Sequence, residues 1–286
     1  MIDSDLFPII FFTLHFNVVL YSARLLANYW GCTMNEAHDL RSILAAWPYE
    51  PDKNVRVLSI SEGREIIQAR LPVGIEQYEM DGHPDGQRPH GKGSCLEHFS
   101  GKRDTARKQE GPSFQLSEKE CVELFAEGVL YYFRYLLLFQ IQDWDRTIRD
   151  TARNIRLFDF VNTYAERKDD RAYLEPWRPY VLRFNAMAKA MRLIQRDQHD
   201  MAAKCLDDCI RRIAGLPEMD NDTFRFERER SLKALKSMAE DLEKNRPVSR
   251  VEGLQRELDE AVQDERFEHA AELRDRLRQL ANFEDG

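Results

Sequence analysis

A mainly α-helical protein with a small β-containing N-terminal part is predicted by three observations. From Leu116 onward, apolar residues recur at spacings of three and four over most of the chain. The β-branched run VRVLSI, at 55–60, is followed by turn residues and a second short run, and nothing else in the chain reads as β. The 286 residues are 43% hydrophobic and 32% charged, a soluble globular balance. The predicted class is therefore mainly α (α+β), in four parts. These are an N-terminal extension (1–33), a helix with a β-hairpin and a long loop (34–115), a bundle of helical hairpins (116–245) and a C-terminal antiparallel helical hairpin (250–282).

The formal net charge of -8 argues against a protein that coats nucleic acid, which must neutralise phosphates. Five scattered cysteines do not make a disulfide framework, and a reducing cytoplasm is expected. Residues 6–20, LFPIIFFTLHFNVVL, are apolar but interrupted by Pro8, His15 and Asn17. They fall short of the roughly 20 residues a membrane span needs. A buried helix, a weak membrane anchor and translated sequence ahead of a start at Met34 remain open, with the last preferred. From Asn35 the chain reads as an ordinary soluble protein, beginning with a short amphipathic helix that ends before Pro48.

VRVLSI is the first strand, Ser61, Glu62 and Gly63 supply the turn, and REIIQAR is the second strand of a hairpin. Pro72 and Gly74 interrupt the next segment, which is expected as an edge strand or a short helix. Residues 81–115 are rich in Gly and Pro and poor in large aliphatics, and a long loop is expected there.

Ser117 and Glu120 form a capping box that starts a long aromatic-rich helix. Val122, Phe125, Val129, Tyr132 and Leu136 are expected to line its buried face. A second helix spans about 145–164, and the charged stretch AERKDDRAYLEPW breaks the pattern. Two further helices meet at RDQHD, and the second stops at Gly215 and Pro217. These four helices resemble tetratricopeptide-type repeats, though the hairpins are spaced wider than that family's period and its full consensus is missing. A charged helix at 224–244 and the linker NRPVSR come next.

In the C-terminal hairpin, Leu254, Leu258, Ala261 and Val262 share one face, and Asp264 is expected to cap the second helix. Ala270, Ala271, Leu277 and Leu280 continue the stripe, and Glu272 and Arg276 form an i,i+4 pair. Leu254, Leu258 and Ala261, then Phe267, Glu268, Ala270, Ala271, Leu273, Arg274, Asp275 and Leu277, resemble the UVR (UvrB/UvrC) motif over about a tenth of the chain. The resemblance implies an antiparallel hairpin that binds other proteins, as in excision-repair subunits and in regulators of Clp-type chaperone-proteases. It implies partner contacts or hairpin core at Leu258, Phe267, Ala271 and Leu277, with Glu268, Arg274 and Asp275 orienting the pair by salt bridges. Residues 68–91 are similar to the N-terminal segment of uncharacterised bacterial proteins that carry this motif. Gln68, Arg70, Gly74, Gln77, Pro84, Asp85, Gly86, Arg88, Pro89 and Gly91 match, and Pro72 and His83 depart.

Other constellations are weak. His83, His90, Cys95 and His98 fall within 16 residues, but their spacing fits no common zinc module, so no metal or cofactor is assigned. Asp85 and Arg88 form a possible loop site for an anion, with a rigid turn as the commoner reading. Arg146, Arg149, Arg153 and Arg156 make a basic stripe on one helix, partly neutralised by Asp150. Cys205 and Cys209 read as thiols in a helix interface. The expected function is a non-enzymatic adaptor that binds a protein partner through residues 250–282, with direct nucleic-acid binding unlikely on charge grounds. The alternative is an enzyme or a metal- or ligand-binding protein with its site in the 81–98 loop.

Overall fold

The structure, a computed structural model, describes residues 39–109, 113–245 and 250–284. The N-terminal extension, the beginning of the first predicted helix and most of the NRPVSR linker lie outside the described residues. Among the described residues, no helix is long and apolar enough to cross a membrane.

The predicted class holds: a small antiparallel sheet leads into a set of helices that ends in a hairpin. The first helix, α1 (Arg41–Ala46), buries no residue. It is fastened by Arg70, whose Nε donates to the Trp47 carbonyl at 2.8 Å, and by Arg56, stacked 3.9 Å from the Trp47 ring. Strands β1 (Val55–Ser59), β2 (Glu65–Leu71) and β3 (Gly74–Glu79) pair in the order β1-β2-β3, so the segment after Pro72 is an edge strand, as β1 is, with Pro72 in the turn that precedes it. The β1–β2 turn holds Glu62 and Gly63 at φ of 64° and 74°, a conformation that glycine adopts freely. Ile67, Tyr78 and Met80 pack on Leu138 of the long helix α3 (Glu118–Gln140).

The expected loop at 81–115 is corrected. Residues 95–108 form helix α2 (Cys95–Lys108), of which only Cys95 and Phe99 are buried. That sparse apolar content gives almost no periodic signal. Its start was nevertheless legible, because the Ser94 hydroxyl accepts from the Glu97 N–H at 3.0 Å.

The capping box at Ser117 and Glu120 is present. The buried face of α3 is rotated by one residue from the expected one. Leu124, Gly128, Tyr131, Tyr135 and Leu138 are buried, and Phe125, Tyr132 and Leu136 form its half-buried flank. Helix α4 (Trp144–Tyr164) lies against α3. The buried Gly128 faces Leu157 of α4, and its carbonyl accepts from Asn154 at 2.9 Å. The charged stretch at 165–177 is corrected to the short helix α5 (Lys168–Tyr173) and a 3-10 turn, with Arg171 Nε donating to the Ala165 carbonyl at 2.6 Å. Helix α6 (Arg178–Ile194) packs on α4, on α7 (His199–Ala214) and on α8 (Asp222–Lys244). Helices α9 (Arg250–Gln263) and α10 (Phe267–Glu284) form the C-terminal hairpin.

One turn geometry recurs in three hairpins. After α3, α6 and α9 a non-glycine residue takes positive φ: Gln142 (61°), Asp197 (59°) and Glu265 (58°). In each case the next N–H reaches five residues back: Asp143 to Leu138 (2.9 Å), Gln198 to Leu193 (3.0 Å) and Arg266 to Ala261 (2.8 Å). These are Schellman closures, and the following helix begins two residues after the positive-φ position.

A buried ion pair joins the sheet to the helices. Arg134 donates to both Asp150 oxygens, Nε at 2.7 Å and Nη2 at 3.0 Å. Its Nη1 reaches the carbonyls of Glu79 (2.9 Å) and Gly82 (2.8 Å), just past β3. Replacing Asp150 by Ala strands a buried guanidinium, and a loss of about 3–5 kcal/mol is expected. Denaturant unfolding checks this as a lower midpoint at unchanged slope.

Candidate functional site

Two regions carry the residues singled out from the sequence. The first is the α9–α10 hairpin. Its core is Ala261, Ala270 and Leu273, with Leu254 and Leu258 packed partly against it. Small Ala side chains let the two helices approach, and Leu273, 1% exposed, fills the space between them. Leu258, Ala271 and Leu277 are half-buried along the seam.

Several expectations are corrected here. Val262, 51% exposed, does not share the buried face, and Phe267, expected as hairpin core or partner contact, is 67% exposed and is not core. Asp264 does not cap α10: the Schellman turn through Glu265 places Phe267 at the first helical position, and the Asp264 carboxylate pairs with Arg266 at 3.1 Å. Glu272 lies 3.8 Å from His269 rather than pairing with Arg276. Arg274 and Asp275 are exposed neighbours 3.7 Å apart, and Glu268 is exposed. Such solvated pairs contribute about 0–1 kcal/mol, so they do not lock the hairpin. The side chain of Leu280 lies outside the described residues.

The second region is the start of α2. Glu127, buried on α3, accepts from the backbone N–H of Cys95 at 2.5 Å and of Leu96 at 3.2 Å. It also pairs with Arg153 and lies 3.3 Å from His83 Nε2. Burial pushes the Arg153 guanidinium down to about 9. His83 Nδ1 contacts Asp85, whose carboxylate also accepts from the Gln87 N–H at 2.8 Å. Asp85 thus closes the turn upon itself, and Arg88 is exposed, which supports the rigid-turn reading of this loop.

The basic stripe on α4 is spent on docking rather than displayed. Arg146 holds Asp81, Glu65 and Asp143, and Arg149 holds Asp81, Asp150 and the Met80 carbonyl. Hydrogen bonding from Arg146 keeps the Asp81 carboxyl below its ordinary range. Arg156 is exposed.

Of the four loop residues weighed as ligands, the structure brings two together and adds a third. His90, Cys95 and Glu123 converge, with their ligand atoms all within 4.8 Å of one another. His90 Nε2 lies 2.7 Å from Glu123 Oε2. His98 stacks on His90 at 4.1 Å, while His83 is turned away to Glu127. Burial, and then the charge on Glu123, push the Cys95 thiol up. Glu123 gave no signal in the sequence, being one acid among several on a charged helix face.

A family model for the UvrB/uvrC motif matches residues 249–283, the span of α9 and α10. No curated protein and no solved structure matches the chain.

Two substitutions separate core from surface in the hairpin. Leu273→Ala is expected to cost about 2–5 kcal/mol, and amide exchange should show α9 and α10 opening together. Phe267→Ala should leave their protection unchanged within about 0.5 kcal/mol.

Proposed function

We propose that this chain is a non-enzymatic adaptor of the cytoplasm that docks a protein partner on the α9–α10 hairpin. An internal comparison carries the reading. Trp144 and Phe267 occupy the same position, the first helical residue after an equivalent Schellman turn. Trp144 is 3% exposed, edge-on to Phe139 at 5.2 Å, and Phe139 in turn packs on Phe184 of α6 at 4.9 Å. In that hairpin a neighbouring helix covers the aromatic end. Phe267 stands 67% exposed, with no such cover among the described residues. Aromatic side chains, Phe among them, are enriched at protein interfaces.

The matched UVR motif supports the same reading, because such motifs commonly mediate protein interactions. A hairpin of about 35 residues, with three buried core residues among its described side chains, gains from a partner face. The resemblance implies two partner classes, an excision-repair protein carrying the complementary motif or a Clp-type ATPase. Calorimetric titration of the full chain with purified members of each class distinguishes them.

Phe267→Asp is expected to weaken binding by at least about thirtyfold, the scale of a hot-spot residue at 2 kcal/mol. Met201→Ala, at an exposed apolar position on α7, should leave binding unchanged. Full affinity retained after both Phe267→Asp and removal of 250–286 would sink the reading.

A further inference from the structure

We propose that His90, Cys95 and Glu123 bind one divalent cation of the zinc class, fastening the loop before α2 and the first turn of α2 to α3. The three donors come from three separate segments. His90 sits in the 3-10 turn Pro89–Gly91, Cys95 is the first residue of α2, and Glu123 lies one turn before Glu127 on α3. Their ligand atoms already lie within 4.8 Å of one another. Two atoms bound across a tetrahedral centre with bonds of about 2.0–2.3 Å stand about 3.5 Å apart, so small side-chain rotations complete the site.

The loop is shaped to deliver the imidazole. His90 holds φ 52° and Gly91 φ 70°, and the N–H groups of Gly91 and Lys92 close back on the carbonyls of Arg88 and Pro89, both at 2.9 Å. Residues with a Cβ seldom adopt this conformation. The ring it positions is held by stacking on His98 at 4.1 Å and by the edge of Phe99 at 5.5 Å. Cys95 is fixed by the Glu127 clamp on its own N–H.

The donor set selects the ion. One imidazole, one thiolate and one carboxylate suit zinc and its borderline neighbours, whereas calcium and magnesium take oxygen. Two anionic ligands balance a doubly charged ion, so the site becomes neutral when filled. His90 is exposed and Glu123 half-buried, which leaves an entry path and a fourth position for water.

The test uses the full chain, stripped with chelator and titrated with Co²⁺ as a spectroscopic probe, then with competing Zn²⁺. One equivalent of Co²⁺ is expected to give a thiolate-to-metal charge-transfer band, lost in Cys95→Ser and retained in Cys205→Ser. His90→Ala, at an exposed position, should weaken binding by at least about tenfold and abolish the rise in unfolding temperature that Zn²⁺ gives the unaltered chain. No charge-transfer band in the full chain overturns the site, as does a band that persists in Cys95→Ser. Should Cys95→Ser fail to fold, unaltered affinity in His90→Ala overturns it. The site is independent of the C-terminal hairpin, and neither result bears on partner binding.

Discussion

The placement of α2, and of the loop that precedes it, depends on one buried carboxylate. Glu127 lies in the α2–α3–α4 junction, where an ionised group without partners would cost many kcal/mol. It is satisfied by the first two N–H groups of α2, by Arg153 and by the edge of His83. Those N–H groups are ones a helix cannot satisfy internally, and the positive end of the helix dipole favours the charge beside them. The Ser94 hydroxyl takes the third N–H and the Ser94 carbonyl the fourth. A helix with only two buried residues is thus held by its end as well as by Phe99 and the contacts of Lys102, Arg103 and Arg107 along its length.

The second clamp, Arg134 with Asp150, does the same for the sheet. Its spare donors hold two carbonyls at the end of β3, and its carboxylate also takes Arg149. Asp81 then bridges Arg146 and Arg149. The N-terminal part is attached to α3 and α4 by ionic hydrogen bonds as much as by its apolar patch around Ile67. The Glu127 clamp in turn puts Cys95 within reach of Glu123, because Glu123 and Glu127 sit one turn apart on the same helix.

The repeated Schellman turn gives the helical part its second organising feature. The same closure starts α4, α7 and α10, so equivalent positions can be compared within one molecule. The Trp144 position is covered by the aromatic packing around it, and the Phe267 position has no such cover among the described residues. Equal local geometry with unequal cover is what the proposed docking role of the C-terminal hairpin rests on. Its matched motif and its small core agree with that reading.

Much of this was legible in the sequence because its causes are local. Capping at Ser117, the strand–turn–strand run from Val55 to Leu71, the edge strand after Pro72, the helical hairpins and the motif at the end of the chain all arise from periodicity, cap chemistry and turn residues within a few positions. Helix α2 was missed because two buried residues in fourteen give no period, although Ser94 and Glu97 stood at capping distance. Tertiary structure alone decided which charges are buried. Glu123 and Glu127 look like solvated acids of a charged helix until Cys95, 32 positions from Glu127, is brought against them. It also decided that Phe267 faces solvent while Leu273 forms the core, since both fit a helical stripe. A charge or an aromatic is placed by the partner that satisfies or covers it, and that partner lies elsewhere in the chain or outside it.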